Sequence, residues 1–398
     1  MMTMADDLPP DEDDSNLLGD QDFKAAFGED LAQTLKLETW SSGVDPKEIM
    51  ARFQREISTA VQREDRVRAL IREKLLPRIA GRKHGPAEAG VFRALPGELS
   101  TIHEGLLFPG NVIAVLGTAV SHQSLPLSIT QIGVAAVGYH GSAGTFSQNL
   151  FRKELAAKDT NSLQEAVDCI ANRHNTKAAI HREILSRLAQ RGIRTYAERA
   201  VLVDKVTAEW RIGHGNPFAH ELLTGSGHVG LLKASLQVLE RLVRVQQKFV
   251  FVSNAQPEQG LMTLGLALDA GEYIVFENLE RQTKNLFRSW KETDPRLPLT
   301  RRFVHTICPD VLLGVFRVSN RTAPRLFYAH REHVHMAARV AMADSIVRVE
   351  KSYPLLLDVA ELTCRSKFGE DGFEGFVQDA YAQAGAHLQY LLERESRR

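Results

Sequence analysis

Apolar positions fall into two patterns along the chain. Between residues 45 and 79, Ile49, Phe53, Ile57, Val61, Val67, Leu70, Ile71 and Leu75 recur mostly at three- and four-residue steps, with charges between them. That spacing predicts an amphipathic helix or helical hairpin. Asp45-Pro46 suits its start, because Pro is tolerated at the first helical position. Such a helix needs an apolar partner, either its own domain or a second copy acting through a dimer arm. Further on, short apolar runs predict strands at 111–116, followed by Gly117-Thr118, and at 129–139, which is rich in β-branched residues. A long helical region is expected over 145–190, and a buried strand over 200–206 (AVLVDKV) that ends near Asp204. Residues 231–247 read as a strong helix with Leu232, Leu236, Leu239 and Val243 on one face, and 248–253 as the next strand. A helix near 258–268, a segment over 277–290, strands around 311–318 and 325–328, and a helical block over 337–394 broken at Tyr353-Pro354 complete the pattern. Strands alternating with helices predict an α/β fold with a mixed sheet. No internal repeat is visible.

Composition narrows the class. The 398 residues suit one large α/β unit with appendages, and 43% hydrophobic with 25% charged residues is ordinary for a globular protein. No apolar run approaches the roughly 18 residues of a membrane span, and the first residues lack the basic and apolar regions of a secretory signal. Three widely spaced cysteines, Cys169, Cys308 and Cys364, form neither a disulfide framework nor a zinc pattern, which points to a reducing cytoplasm. The net charge is zero but unevenly spread. Asp6, Asp7, Asp11, Glu12, Asp13, Asp14, Asp20 and Asp22 precede the first basic residue, Lys24. Residues 1–22 are therefore expected to be a disordered acidic tail, and the remainder is basic by a similar margin, which suits a polyanion. The alternative is a solubilising tail on a neutral body.

Short motifs contribute little. Residues 225–230 spell GxGxxG before a helix, but no clear strand precedes them and the next strand ends Val252-Ser253-Asn254, without the acid of a dinucleotide site. A glycine-rich loop explains them. No Walker A motif and no GxSxG nucleophile signature occurs. His330, His333 and His335 lack a completing ligand beyond Glu332, and His214, His220 and His228 lie in a glycine-rich loop. Both sets read as ordinary histidines.

Carboxylates remain. Two-metal phosphodiester chemistry needs them delivered from separate strands and helices to hard cations about 4 Å apart. Asp204, after Val201-Leu202-Val203, is the candidate that a buried strand would carry to a sheet edge. A turn-forming Asp at a strand end is the alternative.

The order of elements from about residue 108 to 392 resembles the NurA family, nucleases that work with the HerA hexameric ATPase in DNA-end processing. In that family a first strand ends in Asp-Gly-Ser and a second carries an Asn-(Val/Ile)-Gly-like segment. Here Val112-Ile113-Ala114-Val115-Leu116-Gly117-Thr118 and Gln131-Ile132-Gly133-Val134 fit that frame. A helix with an acidic residue then precedes a strand ending in Asp-Gly, matched here by His181-Arg182-Glu183-Ile184-Leu185 and Val201-Leu202-Val203-Asp204-Lys205. A C-terminal Tyr-Pro block with a later His is matched by Tyr353-Pro354 and, at the His position, Glu361. The resemblance implies an RNase H-like mixed sheet flanked by helices, with residues 45–85 as an N-terminal helical extension or dimer arm and 95–395 as the nuclease domain. It implies Glu183 and Asp204 as ligands of Mn²⁺ or Mg²⁺, and Glu183, Asp204, Tyr353 and Glu361 as the catalytic set. It also implies a homodimer that acts on DNA with a HerA-like ATPase.

Departures from the family pattern qualify this. Leu116 replaces the first-strand Asp and cannot bind a cation, Lys205 replaces the Gly after the second Asp, and Glu361 replaces the His. Losing a bridging carboxylate removes transition-state stabilisation. Two functions follow: a metal-dependent nuclease or its weakened descendant, and a non-catalytic DNA- or motor-binding pseudo-nuclease on the same fold. Arg281, Lys284 and Arg288 recur at helical spacing in the place of a family basic run, which suggests phosphate contact; a solvated helix face is the alternative.

Overall fold

The computed structural model describes residues 19–40, 46–83, 85–123, 127–153, 170–171, 188–254, 259–288 and 290–386. Most of the acidic tail and Glu183 lie outside these residues. The chain divides into two compact units, one ending at Val67 and the other beginning at Arg68.

The first unit contains helices α1 (Asp20–Phe27) and α2 (Leu31–Thr34) and most of α3 (Pro46–Leu70). The apolar positions that predict α3, Ile49, Phe53, Ile57 and Val61, are all largely exposed. The described residues of this unit do not supply the apolar partner that such a face requires.

The second unit is built on a nine-stranded sheet with strand order β1-β7-β8-β9-β6-β5-β2-β3-β4. The strands are β1 (Gly90–Arg93), β2 (Val112–Gln123), β3 (Leu127–Gly138), β4 (Gly141–Lys153), β5 (Trp210–His214), β6 (Phe249–Ser253), β7 (Glu272–Asn278), β8 (Val311–Arg317) and β9 (Arg325–His330). β2, β3 and β4 pair antiparallel, while β5 and β6 continue the sheet from β2 in parallel. That order and direction form the RNase H-like arrangement. β9, β8, β7 and β1 extend it antiparallel beyond β6.

Successive residues of a strand face opposite sides, so β2 feeds two cores. Val112 and Ala114 join α4 (Pro96–Ile102), α11 (Val334–Ile346) and α12 (Leu355–Phe368) on one face. Ile113 and Val115 join α5 (Arg194–Asp204), α6 (His220–Thr224), α7 (Val229–Arg241), α8 (Gln259–Leu266), α9 (Leu279–Lys284) and α10 (Leu297–Thr306) on the other. α13 (Glu370–Gln383) follows α12. Each fully buried Leu, Val or Phe in these layers contributes about 1.5–3 kcal/mol of transfer free energy. Among the described residues no helix is long and apolar enough to cross a membrane.

Two expected elements differ. Residues 200–206 are not a strand: Ala200 to Asp204 form the end of α5. Apolar Val201, Leu202 and Val203 are buried there as a helical cluster, and Arg211 from β5 donates to the Leu202 and Val206 carbonyls at 3.0 and 2.9 Å, satisfying the helix end. The start of the expected 145–190 helical region is instead β4, a mostly exposed edge strand. Most of the rest of that region lies outside the described residues. The 225–227 glycine loop follows helix α6 rather than a strand.

Candidate functional site

β2 is twelve residues long but pairs with β5 only through Val112 to Val115. From Leu116 onward its β5-facing edge is open, because β5 ends at His214. This is the switch point where the order of the sheet reverses, the place at which open α/β sheets form a crevice outside their strand ends. A cavity of about 300 Å³ lies there, lined by Leu116, Gly117, Thr118, Arg194, Glu198, His214, Asn254, Tyr353, Asp358, Glu361, Cys364 and Arg365.

The middle of β2 and the ends of β5 and β6 supply its floor. The unpaired N–H of Gly117 donates to Glu198 Oε1 at 3.0 Å. Gly117 has to be glycine for this approach, because a Cβ would lie 2.9 Å from Glu198 Cγ and 3.2 Å from the Gly133 carbonyl. Arg199, next to Glu198 on α5, donates to its Oε2 at 2.7 Å. The same guanidinium donates to the His214 and Asn216 carbonyls at 3.0 and 2.9 Å and lies over the Phe251 ring. It therefore fastens the ends of β5 and α5 together. Burial pushes the Glu198 carboxyl upward, opposed by Arg199, Arg194 and the Gly117 N–H. Burial lowers the His214 imidazole to about 4, and Arg199 and Arg194 add to the effect, so the ring is neutral near pH 7.

α12 forms the facing wall. Asp358, Glu361, Cys364 and Arg365 recur at three- and four-residue steps, so one helix face meets the cavity. Asp358 accepts from Lys351 at 2.7 Å and Arg348 at 3.4 Å, and Glu361 accepts from Arg365 at 2.5 Å. Cys364 Sγ donates to the Leu116 carbonyl at 3.0 Å. The helix start is held by the fully buried Asp344, which accepts from the Leu356 N–H at 2.9 Å and Tyr139 at 2.8 Å. Just before α12, Ser352 has φ +48°, a conformation unusual for a side-chain-bearing residue. Arg325 holds this turn by donating to the Ser352 and Lys351 carbonyls at 3.3 and 2.9 Å. The turn sets Tyr353 into the cavity wall. Burial, with Asp358 nearby, raises the Tyr353 hydroxyl far above its ordinary range and keeps it protonated.

Of the residues singled out from sequence, Leu116, Tyr353 and Glu361 line this cavity and Asp204 does not. Asp204 sits at the exposed C-terminal end of α5 in an ion pair with Arg241. Arg281 and Arg288 are exposed, Lys284 is ion-paired with Glu280 at 2.9 Å, and none of the three lines the cavity. Glu198, Arg194, Asn254 and Cys364 are cavity residues that the sequence reading passed over. The signal for Glu198 was available in the helical spacing of buried Thr195, Glu198, Leu202 and their neighbours.

Among the described residues the cavity's donors do not assemble a divalent-cation site. Leu116 offers no ligand atom, the Glu198 charge is already matched by the buried Arg199 guanidinium, and among the described residues no three His, Cys, Asp or Glu side chains come together to hold a metal ion. The histidines at 330–335 are engaged locally: His330 accepts from the Glu332 N–H, and His335 bonds Tyr273 at 3.1 Å.

No protein-family model matches the sequence, and no curated protein matches it. Among solved structures the chain is similar to the NurA nuclease from Sulfolobus solfataricus, at 9% identity over 86% of this chain and 98% of that one, with a TM-score of 0.43. It is similar to NurA bound to dAMP and manganese at 11% identity, over 82% of this chain and 95% of that one, with a TM-score of 0.38. It is also similar to endonuclease V from Bacillus subtilis at 7% identity, over 72% of this chain and 95% of that one, with a TM-score of 0.31.

Proposed function

We propose that this chain is a NurA-like pseudo-nuclease: a nucleic-acid-binding protein on a nuclease fold whose cleft no longer organises divalent cations. The observation that carries the reading is the state of Glu198. It is the acid that α5 delivers to the switch-point cleft, yet the buried Arg199 guanidinium already neutralises it, the Gly117 N–H donates to its other oxygen, and Leu116, which has no ligand atom, lies on β2 in the same cleft. In this reading Glu198, rather than Asp204 or Glu183, descends from the helix carboxylate of a nuclease site, and Arg199 holds it in place. Tyr353 and Glu361 keep their places on the opposite wall.

The order of motifs in the sequence supports DNA as the partner, a HerA-like ATPase as the motor and a homodimer as the assembly. The exposed apolar face of α3 is compatible with either protein contact. Arg281 and Arg288 offer exposed charge for phosphate contact.

The test incubates the purified protein with end-labelled single- and double-stranded DNA in Mn²⁺, Mg²⁺ or EDTA, beside Leu116→Asp and Glu198→Gln. The expected result is salt-dependent binding without cleavage by the wild type; cleavage appearing only in Leu116→Asp locates the loss at that strand position. Metal-dependent cleavage by the wild type that disappears in Glu198→Gln overturns the reading.

A further inference from the structure

Two buried donors that line the cavity have no hydrogen-bond partner among the described residues: the Tyr353 hydroxyl and Nε of Arg194. Buried polar groups are nearly always paired in native proteins, so an orphan hydroxyl in the wall of a cleft calls for an acceptor that enters it. Tyr353 is only 6% exposed, which makes it part of a built wall rather than a surface side chain.

The charges around the cleft indicate what kind of acceptor fits. Each acid in its lining is already bonded within the protein: Glu198 to Arg199, Asp358 to Lys351, and Glu361 to Arg365. Arg194 has only a long 3.9 Å approach to Glu198, so its guanidinium has donors to offer. Asn254 accepts from Arg325 through Oδ1 at 2.9 Å, which leaves its amide N–H groups as further donors. With each acid of the lining engaged by a cation, the free donors select an anion with several acceptor oxygens. At about 300 Å³ it accommodates a single nucleotide rather than a duplex.

Resting on the pseudo-nuclease reading, we infer that the cleft binds a phosphoryl group directly and without a divalent cation, on a free nucleotide or at a strand end. Arg194 and Tyr353 are its donors, while the buried Arg199 guanidinium neutralises Glu198 behind them. A guanidinium brings a permanent positive charge to a phosphoryl group and needs no carboxylate ligands to hold it.

The experiment uses the full chain in EDTA. Calorimetry measures inorganic phosphate and deoxythymidine 5′-monophosphate, and fluorescence anisotropy measures single-stranded oligonucleotides carrying a 5′-phosphate, a 3′-phosphate or neither. The nucleotide is expected to bind equally in EDTA and in Mn²⁺. Tyr353→Phe and Arg194→Gln are each expected to weaken it about tenfold while the melting temperature shows both variants folded. A preference of about tenfold for one phosphorylated end identifies a strand end as the source; nucleotide binding without end preference identifies a free nucleotide. Binding that requires Mn²⁺, or that neither variant weakens, overturns the inference. DNA held with strong salt dependence but indifferent to both variants removes this inference and leaves the pseudo-nuclease reading intact. Nucleotide binding with no affinity for DNA does the reverse.

Discussion

Arg199 donates to Glu198 across 2.7 Å with both side chains closed off from solvent, 3% and 6% exposed. A buried pair of this kind adds little over a well-packed apolar pair, but breaking it strands the remaining charge. Glu198→Gln should therefore destabilise the protein by about 3–5 kcal/mol, measured by urea unfolding, because it leaves the Arg199 guanidinium without its counter-charge. Adding Arg199→Met should recover a large part of that loss, giving a coupling energy above about 1 kcal/mol in the double-mutant cycle. Additive losses would show that the pair is not the unit described.

Gly117→Ala probes the same contact from the strand side. The new methyl would lie 2.9 Å from Glu198 Cγ and against the Gly133 carbonyl, so Glu198 must move and the sheet cannot yield. A loss of about 1–3 kcal/mol is expected, as for overpacking elsewhere, together with weaker ligand binding in the cleft. Unchanged stability would place Glu198 somewhere other than against β2.

Two buried groups give opposite dependence on pH. Burial raises Asp344 from 3.8 to about 6, so the folded state holds its proton more tightly than the unfolded chain, and this group lowers stability as pH rises from about 4 to 6. Burial lowers His214 from 6.5 to about 4, so the folded state resists protonation, and this group raises stability as pH rises from about 4 to 6.5. Each effect is on the order of 3 kcal/mol at full extent, and they largely cancel in the wild type. Asp344→Asn should therefore leave stability rising with pH across that window, and His214→Gln should leave it falling. Urea unfolding between pH 4 and 7 reads both slopes; parallel curves for all three proteins would contradict the assignment.

Asp204→Ala should do little. Its partner Arg241 is half exposed, and exposed ion pairs contribute about 0–1 kcal/mol. Nucleotide and DNA binding should be unchanged in titrations against the wild type, because Asp204 does not line the cleft. A tenfold loss of binding would return it to the site.

Five of the nine strands, β2, β3, β6, β8 and β9, were legible from sequence because buried strands write short apolar runs, whereas β1 and β7 were not. The failure over residues 200–206 has a definite cause: a four-residue apolar run, Ala200 to Val203, does not distinguish a buried strand from the buried turns of a helix. Choosing Asp204 followed from that strand reading, since a strand would have carried it to the sheet edge, whereas the helix turns it to solvent and Glu198 inward. β4 was missed because an edge strand exposed on both faces has no apolar alternation to show. β5, only five residues long and containing Arg211 and Gly213, was equally quiet. The order of elements singled out Leu116, Tyr353 and Glu361, and all three line the cleft. No pattern in the sequence could reveal that Glu198 is bonded on both oxygens, because that depends on where Gly117 and Arg199 meet in space.

A pseudo-nuclease cleft of this kind holds no divalent cation of its own. Calorimetric titration of the metal-free full chain with Mn²⁺ should show no saturable binding tighter than about millimolar, and no difference between wild type and Glu198→Gln. A stoichiometric site in the micromolar range that vanishes in Glu198→Gln would contradict it.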